Sequence, residues 1–267
     1  MTMLLSVLIF VFGACVGSFL NVAILRLPLG QKLNGRSHCP SCGRQLFWWE
    51  LFPLASFVLL GGKCSSCKIK ISSRYFIIEL VAALLFAGSY LYLSPTGLAG
   101  YIMLAKYWFA AAVMIVVFVV DLEHYLILDR VVFPAVTVLA LFNLALDFVQ
   151  HRNLWSLSAG FSGGLVAAVL AALPFFLIWY FSKGKYMGFG DIKMILLMGI
   201  MLGWPVVFVS LFVAVILGGV VSVYLLMATS KTMKSQLPFG TFLSLSAVFC
   251  LFFGDKLLLW YLSFLGF

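Results

Sequence analysis

Ala110-Ala111-Ala112-Val113-Met114-Ile115-Val116-Val117-Phe118-Val119-Val120-Asp121 is an unbroken apolar run closed by a carboxylate. Read with the residues before it, from about position 100, it reaches the length of about 20 residues that a membrane-spanning helix needs. In hydrocarbon every backbone N–H and C=O must be paired within the segment, and a helix does this alone. Strands of a membrane barrel would alternate apolar and polar residues, and this run does not.

Working outward, the same texture covers most of the 267 residues, which are 64% hydrophobic and only 9% charged. A soluble chain of this length has no use for so much apolar surface. The reading is an all-α polytopic membrane protein that crosses the lipid bilayer about eight times. Spans are expected near 3–25, 76–93, 100–120, 131–149, 157–182, 192–203, 206–228 and 239–254. The sixth is short and follows a glycine-rich loop, which suits a half-span or a tilted helix beside a cavity. The tail from Leu257 to Phe267 either lies at the interface or completes the last span. The first span has no basic stretch before it and no small-residue cleavage pattern after it, so it is read as a retained helix.

Between Arg26 and Arg74 lie eight basic residues, opposed before Glu79 only by Glu50. The positive-inside rule puts this loop in the cytoplasm and the N-terminus outside. Alternation then carries Arg130, Lys183, Lys185, Lys193, Lys231 and Lys234 inside, leaving Lys106, Arg152 and Lys256 outside or snorkelling. The formal charge of +9 is thus a topology signal, with attraction to anionic lipid second. Nucleic acid is excluded as a partner, because there is no basic surface of soluble-domain size.

The polar insert is the second decisive stretch. Cys39-Pro40-Ser41-Cys42 and Cys64-Ser65-Ser66-Cys67 are two Cys-x-x-Cys turns separated by twenty-one residues. A two-residue gap lets both thiolates of a turn face one ion, and two such turns close a tetrahedral shell. Cys39, Cys42, Cys64 and Cys67 are therefore read as ligands of a structural zinc in a small zinc-ribbon-like module. So short a module has little core of its own. Cys15 and Cys250 are read as small buried hydrophobes. The expected organisation is 1–27 as the first transmembrane helix, 28–75 as the cytoplasmic module and 76–267 as the main membrane domain.

Among eight acidic residues, two stand at the mouths of apolar segments. Asp121 closes one run, and Asp191 follows Gly188-Phe189-Gly190. Ionisable groups at the edge of hydrocarbon are costly and mark functional sites. The topology places both on one membrane face, where two aspartates can share a proton. The alternative is that each caps a helix or pairs with a lysine. Glu123 and Asp129 are read as solvated interface charges, His124 as an interfacial residue or a proton carrier, Glu79 as paired with Arg74 or a loop group, and Asp147 and Asp255 as facing outward.

In order along the chain come Gly17-Ser18-Phe19-Leu20-Asn21-Val22 with Arg26-Leu27-Pro28, the paired Cys-x-x-Cys turns, and Ile71-Ser72-Ser73-Arg74-Tyr75 with Glu79. Then follow Asp121 to Asp129, Met187-Gly188-Phe189-Gly190-Asp191-Ile192-Lys193, and Leu237-Pro238-Phe239-Gly240. Together they resemble the bacterial type IV prepilin leader peptidases, membrane aspartyl proteases that also N-methylate their product. The resemblance implies catalysis by Asp121 and Asp191, with Gly188, Gly190 and Lys193 as supporting motif residues. It implies prepilin and pseudopilin substrates with a short basic leader, cut after glycine and usually before phenylalanine at the cytoplasmic face of the inner membrane. It also implies S-adenosyl-L-methionine as methyl donor, with the cysteine module linked to methylation. Two positions depart from the family pattern. Ile127-Leu128-Asp129 stands where Leu-Pro-Asp is frequent, which is expected to alter the loop after Asp121. Lys185 and Tyr186 stand where an acidic residue is frequent. The rival reading from another class is a proton-coupled or ion-conducting transporter using the same two carboxylates. Oligomeric state has no signal in the sequence.

Overall fold

The structure is a computed structural model that describes residues 2–151, 160–228, 237–264 and 266. Arg152, Lys231 and Lys234, used above for topology, lie outside the described residues. The chain divides into two compact units, Met1–Ser94 and Pro95–Phe267.

The first unit is a helix pair carrying the polar insert. Helix α1 (Thr2–Arg26) packs along helix α3 (Ser73–Leu93). Small residues permit this contact, as between helices in lipid generally. A Cβ at Gly13 would stand 2.8 Å from the Ala83 Cα, and one at Gly17 would stand 2.7 Å from the Glu79 Cα. Gly13, Ala14 and Gly17 define the inner face of α1. Cys15 falls off that face and is exposed, which corrects its reading as buried, whereas Cys250 is buried as expected.

Between these helices lie the two cysteine turns, a short 3₁₀ turn (Trp48–Leu51) and helix α2 (Ala55–Leu59). Polar joints tie the insert down. The Asn21 amide donates to the Tyr75 carbonyl at 3.1 Å, and the Leu54 N–H donates to the Glu79 carboxylate at 2.8 Å. Glu79 therefore pairs with a loop group, one of the two options the sequence left. Arg26 donates to the carbonyls of Leu33 and Asn34 at 3.0 and 2.9 Å.

The second unit contains α4 (Gly97–His124), α5 (Asp129–Val149), α6 (Phe161–Ser182), α7 (Phe189–Leu202), α8 (Val206–Ala228) and α9 (Phe239–Phe264). The apolar tail from Leu257 continues α9 as far as Phe264. Among the described residues, seven helices (α1, α3, α4, α5, α6, α8 and α9) are long and apolar enough to cross a membrane. The remaining apolar helix, α7, has 14 residues. At 1.5 Å per residue it measures about 21 Å, short of a hydrocarbon core of about 30 Å.

This short helix is the centre of its unit. It touches α5, α6, α8 and α9, and Met194, Ile195, Leu197 and Met198 are wholly buried. A helix that is apolar all round belongs inside a bundle. Glycine and alanine set the spacing to α6, since a Cβ at Gly199 would stand 2.2 Å from the Ala168 Cα. Near the C-terminus of α7 the Ile200 carbonyl, one of the last four that lack a helical partner, accepts from the Asn143 side chain at 2.8 Å. Tyr107 ties α4 to α9 through the Leu251 carbonyl at 2.8 Å. These contacts fix where α7 begins, and hence where Asp191 stands.

Candidate active site

Helix α4 does not stop at Val120. It runs through Asp121 to His124 and is capped by Tyr125, whose left-handed backbone lets its N–H reach the Asp121 carbonyl. Asp121 thus sits in the last turn of a helix, where the backbone dipole disfavours a carboxylate. The start of α9 compensates. The Thr241 N–H donates to Asp121 Oδ2 at 2.7 Å, and the Gly240 N–H also faces the carboxylate. Both donors belong to the first turn of α9, whose N–H groups have no partner within the helix. Asp121 is buried, with 4% of its surface exposed.

Gly240 permits this approach. A Cβ there would stand 2.8 Å from Asp121 Oδ2 and 3.0 Å from Ile127 Cδ1. Thr241 is itself held, its hydroxyl donating to the Pro238 carbonyl at 2.7 Å. The stretch Leu237-Pro238-Phe239-Gly240 therefore builds the cradle of Asp121.

Asp191 is the third residue of α7, after the N-cap Gly188. The Gly188 N–H supports its carboxylate, and the Asp191 N–H donates to the Gly188 carbonyl at 3.2 Å. This is half of a capping box, so the helix-capping alternative is met in part. Asp191 stays half-exposed, leaving an accessible face.

One side chain links the two halves. Ile127 packs its Cβ over Gly190, 3.1 Å from where a Cβ would stand, while its Cδ1 lies over Gly240. The segment beside Asp191 and the cradle of Asp121 thus share a single spacer.

The loop carrying Ile127 is staked at both ends. The Tyr125 cap holds one end, and an ion pair between Asp129 and Lys193 holds the other. Lys193 also lies over the rings of Phe189 and Phe133, at 5.0 and 5.6 Å. Asp129, read from sequence as a solvated charge, is exposed as expected and is also partnered. Leu128, where the family pattern has proline, adopts φ −80° and ψ 123°. A proline would take that φ as well, so the expected alteration of this loop is not seen in its backbone.

The cysteine module holds the second constellation. The Sγ atoms of Cys39, Cys42, Cys64 and Cys67 all lie within 4.8 Å of one another, with Cys39 and Cys67 at 3.8 Å. Metal–sulfur bonds of about 2.3 Å in a tetrahedron require edges of about 3.8 Å, so the quartet fits a metal ion. The two turns are built alike. Gly43 and Lys68, each four residues past the first cysteine, have φ of +68° and +59°. The N–H groups of Cys42 and Ser41 point at Cys39 and hold its thiol below the usual range. Those of Cys67 and Ser66 do the same for Cys64, pulled down to about 6. The first cysteine of each turn is thus favoured as the thiolate a metal binds, whereas burial and the cysteines around it push Cys67 up to about 11. Arg44 from the first turn donates to Glu50 at 2.7 Å and to Ser65 of the second at 2.6 Å, clasping the turns together.

Comparison with known proteins agrees with this layout. Residues 11–93 match the model of the bacterial peptidase A24 N-terminal domain, and residues 108–223 match that of the type IV leader peptidase family. A prepilin leader peptidase/N-methyltransferase of Pseudomonas aeruginosa is 30% identical over 96% of this chain and 92% of its own. The chain belongs to the type IV leader peptidase family. A relative of the same description from Stutzerimonas stutzeri is 30% identical over 95% of this chain and 92% of its own, and one from Vibrio cholerae is 31% identical over 74% and 77%. No solved structure matches. Within this type IV leader peptidase, the segment matched to the family holds Asp121, Ile127 and Asp191, while Gly240 and Thr241 lie beyond it.

Proposed function

We propose that this multi-pass membrane protein is a prepilin peptidase that also N-methylates its product, and that Asp121 and Asp191 are its catalytic pair. The substrates are prepilins and pseudopilins, whose apolar helix stays in lipid while the basic leader is cut off at the cytoplasmic face of the inner membrane. Cleavage falls after glycine and before phenylalanine. The observation that carries the reading is the shared frame of the two carboxyl groups: Asp121 is held by the first turn of α9, Asp191 stands in the first turn of α7, and Ile127 packs against the glycine beside each.

In the proposed mechanism the pair holds one proton. Asp121, with two backbone donors from α9, carries the negative charge and takes a proton from the attacking water. Asp191, on the accessible side, holds the shared proton and donates it to the scissile carbonyl. The tetrahedral intermediate collapses as the proton from water passes to the leaving amine. A glycine before the scissile bond lets the substrate backbone approach closely.

The cysteine module binds zinc in a structural role in this reading. Four thiolates leave no open position for a water. S-adenosyl-L-methionine would supply the methyl group for the new N-terminal amine. A transporter reading has less support, because it needs carboxylates reachable from both sides, and here Asp121 is buried against the first turn of α9 while Asp191 keeps an exposed face.

The test is leader removal from a prepilin by purified protein in detergent. Asp121→Asn and Asp191→Asn should each abolish cleavage while the protein stays folded by circular dichroism. Wild-type processing by either variant would remove that residue from the mechanism.

A further inference from the structure

A cavity of about 350 Å³ opens between α4, α8 and α9, directly beside the cradle of Asp121. Its walls include Phe118, Leu122 and Tyr125 from α4 and its cap, Leu225 from α8, and Thr241 and Phe242 from α9. Thr241 is the residue whose N–H holds Asp121. The cavity therefore begins one residue from a carboxylate assigned to catalysis.

Its chemistry is narrow. The Thr241 hydroxyl is already spent on the Pro238 carbonyl, and the rest of the wall is aliphatic or aromatic apart from the Tyr125 hydroxyl. A charged or strongly polar occupant would lose its hydration without compensation. The volume lies near the lower end for binding pockets, about 300 Å³. That suits one large side chain and is too small for a whole helix. An extended peptide sends successive side chains to opposite sides, so a chain drawn past Asp121 would present one side chain here.

We propose that this cavity is a specificity pocket that receives a large apolar or aromatic side chain of the substrate next to the scissile bond. The proposal rests on the reading of Asp121 as catalytic. It assigns Phe118, Leu225 and Phe242 as specificity-determining residues, which no motif in the sequence marks.

The experiment uses the full-length protein in detergent and three prepilin substrates with Phe, Leu or Ala immediately after the scissile bond. A pocket of this kind should favour Phe and Leu over Ala by about tenfold or more in kcat/KM. Leu225→Trp, which fills the cavity from α8, should collapse or invert the Phe-to-Ala ratio, and Val221→Phe serves if that variant does not fold. A benzophenone side chain placed at the same substrate position should cross-link to α4, α8 or α9. An unchanged ratio in the filled variant, or cross-links confined to other helices, overturns the pocket. Running the cross-link in Asp121→Asn separates the two ideas. Cleavage by that variant would defeat the dyad, whereas the cross-link pattern reports on the pocket alone.

Discussion

Replacing Gly240 with alanine tests the cradle of Asp121 more sharply than removing the carboxylate. The added Cβ would stand 2.8 Å from Asp121 Oδ2, and ordinary contact begins near 3.4 Å. The carboxylate must retreat by about 0.6 Å, which stretches the 2.7 Å bond from Thr241 towards the limit of a hydrogen bond. A hydrogen bond to a charged group contributes about 1.5–3 kcal/mol, and misplacing a reacting group by about 1 Å can cost about 100-fold. Leader removal by Gly240→Ala should therefore fall about 10- to 100-fold. Folding should not suffer. The displaced group is the movable end of a side chain, and alanine favours a helix over glycine by about 0.8–1 kcal/mol. Activity and thermal stability should thus move in opposite directions, read by cleavage rates and by unfolding of the same preparation. Gly190→Ala, with its Cβ 3.1 Å from Ile127, should be intermediate, and Gly188→Ala, 3.5 Å from Asp191 Oδ2, should be mild. Wild-type cleavage by Gly240→Ala, or equal damage from Gly188→Ala, would refute the reasoning.

In the cysteine module, Cys39→Ser should abolish stoichiometric metal, read by elemental analysis against one ion per wild-type chain. Burial pulls the Glu50 carboxyl up, but Ser65, the Phe47 N–H and Arg44 together hold it below the usual range. Its contribution should be complete above about pH 4.3 and fade only as the pH falls through the lower folded value. Fluorescence of Trp48 and Trp49 should thus be steady at pH 5 and change in stronger acid, and Glu50→Gln should alter it at neutral pH. Gly199→Val sets a side chain against the Ala168 backbone, 2.2 Å from its Cα at the Cβ alone. It should destabilise by more than about 4 kcal/mol, seen as loss of monodisperse protein on extraction.

The helices were legible because their signal is local: a long apolar run in lipid has few other solutions. The cysteine turns were legible for the same reason, since a Cys-x-x-Cys pair brings its ligands together within four residues. What lay hidden depends on distant partners. Asp121 looked like the first residue of a polar loop, because Leu122-Glu123-His124 breaks the apolar run, yet α4 continues through it. Its donors come from α9, 120 residues away, and Leu237-Pro238-Phe239-Gly240 stood in the sequence as a motif without a task. The Asp129–Lys193 pair spans 64 positions and has no periodic signature. Nor does hydropathy say whether an apolar helix faces lipid or protein. The burial of α7 emerged only from its neighbours, and Cys15, in an equally apolar run, turned out exposed.

Ile127 has a consequence for how this sequence can drift. Its branched side chain gauges the gap between the Gly190 and Gly240 backbones, so the three positions are coupled and not independently variable. Bulk gained at Gly190, where Ile127 supplies every near contact, is relieved by bulk lost at 127, and a smaller residue there alone would leave both carboxylates loosely registered. Second-site suppressors of a damaged Gly190 should therefore gather at position 127, more than sixty residues away in the sequence.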